Sequence, residues 1–158
     1  MIAASLCLAI VAMYGADIPR DRACAAAEAI VAEAGAWDPA LLAAIGAGES
    51  RLTLGLVGSR GEVGAWQVRL YGPDRRRRER AALTSYVAGV REAVRRLDES
   101  AAWCKRRGTP GELCMLTAYR GGPGLVRRGM YGGARKVLRR AAELRRAMAM
   151  APARRAGS

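Results

Sequence analysis

Apolar residues fill nearly every position from Ile2 to Ala16, interrupted only by Ser5, Tyr14 and Gly15. A bilayer-spanning helix needs about 20 such residues, so the run is short for a span and has the length of a signal-peptide core. No lysine or arginine precedes it, and Tyr14 spoils a small-residue cleavage site near Ala16. Two readings stand side by side: residues 1–16 as a signal peptide or short membrane anchor, or as a buried N-terminal helix.

The alanine-rich stretch from Asp21 to Ala34 predicts a helix ended by Gly35. Asp38-Pro39 then reads as an N-cap followed by proline in the first turn, opening a helix that runs through Leu41, Leu42 and Ile45 to Glu49 and Ser50. Residues 51–68 change character: glycines break short apolar alternation, which predicts an irregular wing with a small hairpin over Val63 to Val68. Gly72-Pro73-Asp74 opens a helical region reaching about Arg107, with a weak point at Gly89. The turn Gly108-Thr109-Pro110-Gly111 leads into a short helix containing Cys114 to Tyr119, broken by Gly121-Gly122-Pro123-Gly124. A basic helix follows from Ala134 to Met150. No internal repeat is present.

Alanine, leucine and arginine dominate, phenylalanine is absent, and runs of β-branched residues are missing. That composition favours helices, and 158 residues suffice for one core. The expected fold is all-α, a single domain over 17–150 with a small irregular wing and a disordered tail over 151–158.

The chain has no histidine. Ser-His-Asp and Cys-His nucleophile systems are thereby excluded, as are the usual imidazole ligands of a catalytic zinc. The four cysteines form no C-x-x-C pair, so no metal site is expected. Hydrolytic chemistry would have to rest on carboxylates. The formal charge of +13, from 27 basic and 14 acidic side chains, attracts polyanions: nucleic acid, acidic membranes or a carboxylate-rich bacterial wall. Arg75 to Arg78, and Arg135, Lys136, Arg139, Arg140, Arg145 and Arg146, form basic faces whose plainest role is solvated helix surface. No helix-turn-helix or zinc-finger pattern points to specific nucleic-acid binding.

Glu49 is the leading candidate for chemistry. On a helix starting at Pro39, it stacks with Leu42 and Ile45 on one face. A carboxyl at the end of an apolar stripe is costly to bury charged, and burial raises its pKa toward what a general acid needs. Gly46 and Gly48 weaken the helix by roughly 1 kcal/mol each relative to alanine, which suits close approach by another backbone or a ligand. A glutamate at a helix end facing solvent remains the alternative. Cys104 and Cys114 flank the turn between two helices; a bridge there would suit an exported protein, two buried thiols being the alternative, and the pairing of Cys24 stays open.

Glu49-Ser50, then Gly61-Glu62-Val63-Gly64-Ala65-Trp66-Gln67, then Ala118-Tyr119-Arg120-Gly121-Gly122-Pro123-Gly124 occur in that order. In these segments the chain resembles the lytic transglycosylase and goose-type lysozyme family, whose pattern is a helix ending E-S, a turn G-x-x-G-x-x-Q, and a later A-Y-N-x-G-x-G. The resemblance covers roughly Ala23 to Leu138. It implies a lysozyme-like fold, no cofactor, and non-hydrolytic cleavage of peptidoglycan glycan strands to 1,6-anhydro ends, with attraction to the anionic wall and no specific nucleic acid as partner; the alternatives are a lysozyme-type hydrolase, a wall binder disabled at Arg120, or a basic nucleic-acid protein. Glu49 matches the single catalytic acid/base, and Tyr119 a tyrosine whose hydroxyl orients it. Gln67 matches a glutamine lining the sugar site, and Gly64 a glycine that lets the glycan approach. Ser50 matches the serine after the glutamate, and Gly121 belongs to the third motif. The pattern departs at Trp66, where leucine or methionine is usual and a tryptophan could stack on a sugar, and at Arg120, which replaces asparagine. Glu62, Asp74 and Asp98 are conceivable second carboxylates. The implied setting is exported, periplasmic or extracellular.

Overall fold

The computed structural model describes residues 1–151, which are mostly helical apart from the long segment between Ser50 and Arg75. The elements are α1 (Ile2–Tyr14), α2 (Arg20–Glu33), α3 (Pro39–Ser50), α4 (Arg75–Thr84), α5 (Tyr86–Arg106), α6 (Glu112–Gly121), α7 (Pro123–Arg127) and α8 (Gly132–Met150). The all-α, single-core architecture agrees with the composition. Of the tail read as disordered, residues 152–158 lie outside the described residues.

The centre of the core is α3. Its N-terminus forms as the sequence dictates: the Asp38 carboxylate accepts from the Ala40 amide at 3.0 Å, and Pro39 occupies the first turn. Every residue from Ala40 to Ala47 is buried. A helix apolar all round is covered on all sides, and α1, α2 and α8 pack against this one. Its C-terminus stops at Arg51 and Leu52, both with left-handed backbone (φ 55° and 56°), and the Leu52 amide returns to the Gly46 carbonyl at 3.2 Å.

The wing, residues 51–74, folds back over that end. It holds two isolated antiparallel bridges, Val57 with Val63 and Val63 with Val68, in place of a regular hairpin. Its anchor is Trp66, fully buried, whose indole N–H donates to the Leu42 carbonyl at 2.8 Å and whose ring meets Tyr86 edge-on at 6.2 Å. Two glycines make room for the ring. A Cβ on Gly46 would come within 3.0 Å of the indole nitrogen, and one on Gly89 within 3.0 Å of its six-membered ring. Gly89 therefore lies inside α5 as a packing notch and is not a break. The break falls at Ser85, which closes α4 and caps α5 by accepting from the Ala88 amide at 3.3 Å. Arg78 of α4 forks onto Glu92 of α5, with its Nε 2.8 Å from the carboxylate, and locks these two helices together.

The N-terminal apolar run is α1, with Leu6 and Ile10 fully buried against the core. Cys7 and Cys24 form a disulfide that ties α1 to α2 and gives Cys24 the partner that the sequence left open. Its partner lies 17 positions away on another helix, a pairing that neither local spacing nor composition marks. The expected Cys104–Cys114 bridge is present and closes the α5–α6 turn beside a small satellite cluster with Ala118 and Val126. Two disulfides fit an oxidising environment outside the cytosol. Among the described residues no helix is long and apolar enough to cross a membrane.

Two expectations follow. Trp66→Ala should lower unfolding free energy by about 3–5 kcal/mol, as removal of a fully buried aromatic does, measured by denaturant titration. Cys7→Ser/Cys24→Ser should lower it by roughly 2–4 kcal/mol by opening the α1–α2 loop. An unchanged midpoint in the double mutant would mean that α1 is not docked.

Candidate active site

Glu49 follows Gly48, the first exposed residue after the buried run of α3, and stands where cover by the core ends. Its side chain is 20% exposed. Oε1 accepts from Arg120 Nε at 2.6 Å, a charge-assisted bond reaching from the last turn of α6. The carboxylate opens on two clefts. One, of about 460 Å³, runs toward the start of α8 and is lined by Thr117, Arg120, Tyr131, Gly133 and Arg135, with Arg60 of the wing at its rim. The other, of about 390 Å³, lies on the opposite side against Tyr14, Asp17, Ile18, Arg51 and Arg140. A third groove, between α1 and the end of α8, is lined by residues such as Leu8, Val11 and Met150 and offers no side chain for acid/base chemistry.

Tyr119 is buried beneath the site. Burial pushes its phenol far above the ordinary range, and the nearby Glu49 charge pushes it the same way, against a smaller opposing effect of Arg96. Its hydroxyl donates to the Trp66 carbonyl at 3.0 Å. The role expected for it, orienting Glu49 through that hydroxyl, is therefore not the geometry found: the tyrosine holds the wing, and Arg120 is the group that holds the glutamate. Arg120 can do so because Gly133 leaves room; a Cβ there would come 1.8 Å from Arg120 Nη1.

The wing motif is structural in the same way. Trp66 has no exposed face, so it stacks on no sugar; its N–H and ring are both spent inside the core. Gly64 is needed with φ 72° because a Cβ would come 2.4 Å from the Ala82 carbonyl, so the backbone it admits is that of α4 and not a glycan. Gln67, half-buried with φ 47°, turns its amide back to donate to Gly64 O at 2.9 Å and to Leu56 O at 3.3 Å. Ser50 donates to Ala65 O at 2.6 Å and accepts from the Thr53 amide at 3.1 Å, which pins the wing to the end of α3. Gly121 leaves space for Leu125 at the α6–α7 bend. The motif residues thus converge on the Glu49 end of α3, but only Glu49, Ser50 and Arg120 line a cleft, and the Ser50 hydroxyl is spent on the wing.

The glycines before Glu49 also find partners from within the chain. Gly46 admits Trp66 and Leu52, while a Cβ on Gly48 would come 2.7 Å from Arg140 Nη1. Of the second carboxylates considered, Asp98 accepts from the Trp37 indole at 2.9 Å, Glu62 pairs with Arg60 at 3.0 Å, and Asp74 stands at the start of α4. Asp17, in the α1–α2 turn, is the carboxylate that shares a cleft with Glu49. With it stands Tyr14, whose hydroxyl is buried without a partner among the described residues and whose pKa burial raises, an effect that nearby Arg140 partly opposes. Neither is marked as a site residue by sequence, because Tyr14 lies in the apolar run and Asp17 just after it, and their approach to Glu49 depends on how that run docks. Parts of the basic faces are neutralised: Arg75 by Glu79, Arg78 by Glu92, and Arg145 by Asp38 at 2.6 Å.

Among the described residues no cluster of carboxylates and cysteines has the makings of a metal site. Comparison with family models, with curated proteins and with solved structures finds no match to this chain.

Proposed function

We propose that this chain is a peptidoglycan-cleaving glycosidase that cuts the β-1,4 bond between N-acetylmuramic acid and N-acetylglucosamine with Glu49 as its acid/base. The observation that carries the reading is the placement of Glu49: a mostly buried carboxylate at the end of the central helix, flanked by two open clefts through which an extended chain could pass. The order of the E-S, G-x-x-G-x-x-Q and A-Y-x-x-G-x-G segments supports it, since all three meet at this end of α3.

In this reading Glu49 parts from Arg120, takes up a proton and delivers it to the glycosidic oxygen as the bond to the anomeric carbon breaks. The acetamido group of the substrate stabilises that carbon. The resulting carboxylate then takes the proton of the muramic C6 hydroxyl, whose oxygen closes on the anomeric carbon to give a 1,6-anhydro end. One protein carboxylate suffices because the substrate supplies the nucleophile. The unpaired arginines of α8 favour an anionic wall over neutral polymers by long-range attraction, and the two disulfides agree with a periplasmic or extracellular place of work.

A second reading is favoured by Asp17. A carboxylate across the cleft from the acid could activate water, which would make the enzyme a lysozyme-type hydrolase.

Glu49→Gln preserves shape but cannot exchange a proton, so release of soluble fragments from purified walls should fall at least ~100-fold while the circular dichroism spectrum is unchanged. Digestion by this variant at the wild-type rate would remove Glu49 from the mechanism. Asp17→Asn should leave the rate within about 3-fold if the substrate supplies the nucleophile, and should cost about 100-fold or more if Asp17 activates water.

A further inference from the structure

The far end of the 460 Å³ cleft has an unusual charge arrangement. Here α8 begins at Gly132 with no side-chain cap, and among the described residues the amides of Gly132 and Gly133 have no acceptor. The N-terminus of a 19-residue helix carries partial positive charge and aims its free N–H groups outward. Against it the fold places more positive charge. Arg120 lies directly over Gly133, and Arg135, in the first turn, is exposed and has no carboxylate partner among the described residues. Among the described residues Glu49 is the only acidic side chain on this cleft, and its Oε1 is engaged by Arg120.

An independent feature of the same cleft points to a polar ligand. Thr117 lines it from α6, is only 2% exposed, and its hydroxyl has no hydrogen-bond partner among the described residues. A buried hydroxyl left unmatched costs about 1–3 kcal/mol and is normally satisfied. Two free amides, a free guanidinium and an orphan hydroxyl around one cavity form a donor set without an acceptor.

We infer that this end of the cleft is a carboxylate subsite, formed by the Gly132 and Gly133 amides with Arg135 and Arg120, for the free lactyl carboxylate of muramic acid residues that carry no stem peptide. This rests on the proposed glycan-cleaving reading and adds to it which feature of the substrate is recognised. An arriving carboxylate answers the helix terminus and Arg135 directly. It also competes with Glu49 for Arg120, so that binding of the acidic sugar loosens the one contact that holds Glu49. The subsite would thus favour carboxylate-bearing glycans over neutral ones by binding and by freeing the acid together.

The test is binding, read without turnover. The ¹⁵N-labelled protein is titrated at constant ionic strength with N-acetylmuramic acid, with N-acetylglucosamine, which lacks the lactyl carboxylate, and with inorganic phosphate. Saturable shifts of the Gly132 and Gly133 amides are expected with muramic acid and not with the neutral sugar. Arg135→Gln should weaken that binding at least about 10-fold, the scale of a charged hydrogen bond, with the rest of the spectrum unchanged. Thr117→Val, which keeps the shape, should also weaken it. Equal response to both sugars, no response to either, response to phosphate alone, or undiminished affinity in Arg135→Gln would each overturn the subsite. Failure of the wild type to cleave walls while muramic acid still binds would contradict the enzyme reading and leave the subsite standing.

Discussion

Burial of α3 on all sides is the constraint that orders the rest of the molecule. From Ala40 to Ala47 the helix has no face for water, and its small residues let neighbours come close. Helices α1, α2 and α8 cover three sides, and the wing supplies Trp66 for the remaining one. Burying one large aromatic with its N–H bonded contributes several kcal/mol to holding the irregular 24-residue wing, 51–74, together with the buried Leu52, Val63, Val68 and Leu70. Cover ends at Gly48. The next residue, Glu49, is therefore the first point at which the central helix can meet a ligand, and its position is dictated by packing before any chemistry is considered.

Electrostatics then decides the resting state of the site. Glu49 is the nearest anion to a region crowded with positive charge, and Arg120 binds it through a short guanidinium bond. Near a protein surface two unit charges at about 4 Å attract by roughly 4 kcal/mol before desolvation is counted, a scale that an incoming ligand can match. The pair is thus a latch that a better anion can open, and Gly133 is the small residue that lets Arg120 occupy that position.

What was legible in the sequence was local. Asp38-Pro39 and the limits of α3 could be read because capping chemistry depends on neighbours, and the Cys104–Cys114 bridge could be read because a short turn brings its ends together. Features set by distant contacts were not. Gly89 looked like a helix break but is the notch for Trp66, a contact between residues far apart in sequence that only packing brings together. Cys7–Cys24 depends on how α1 docks, which apolar composition alone leaves open between a leader and a core helix. At the site, the E-S and A-Y segments pointed to Glu49 and its surroundings, while the hydrogen-bond partners of the motif side chains were not legible. Tyr119 and Gln67 spend their hydrogen bonds on the wing, and the residue that departs from the family pattern, Arg120, is the one that touches Glu49.

In the proposed reaction the carboxylate at the end of α3 breaks a glycan strand with the substrate's own hydroxyl as nucleophile. Mass spectrometry of the soluble products from purified peptidoglycan, digested by the wild-type protein, decides it. Muropeptide fragments ending in 1,6-anhydro-N-acetylmuramic acid, lighter by one water than their reducing counterparts, are expected. Reducing ends throughout would make water the nucleophile, and walls left intact would contradict the claim altogether.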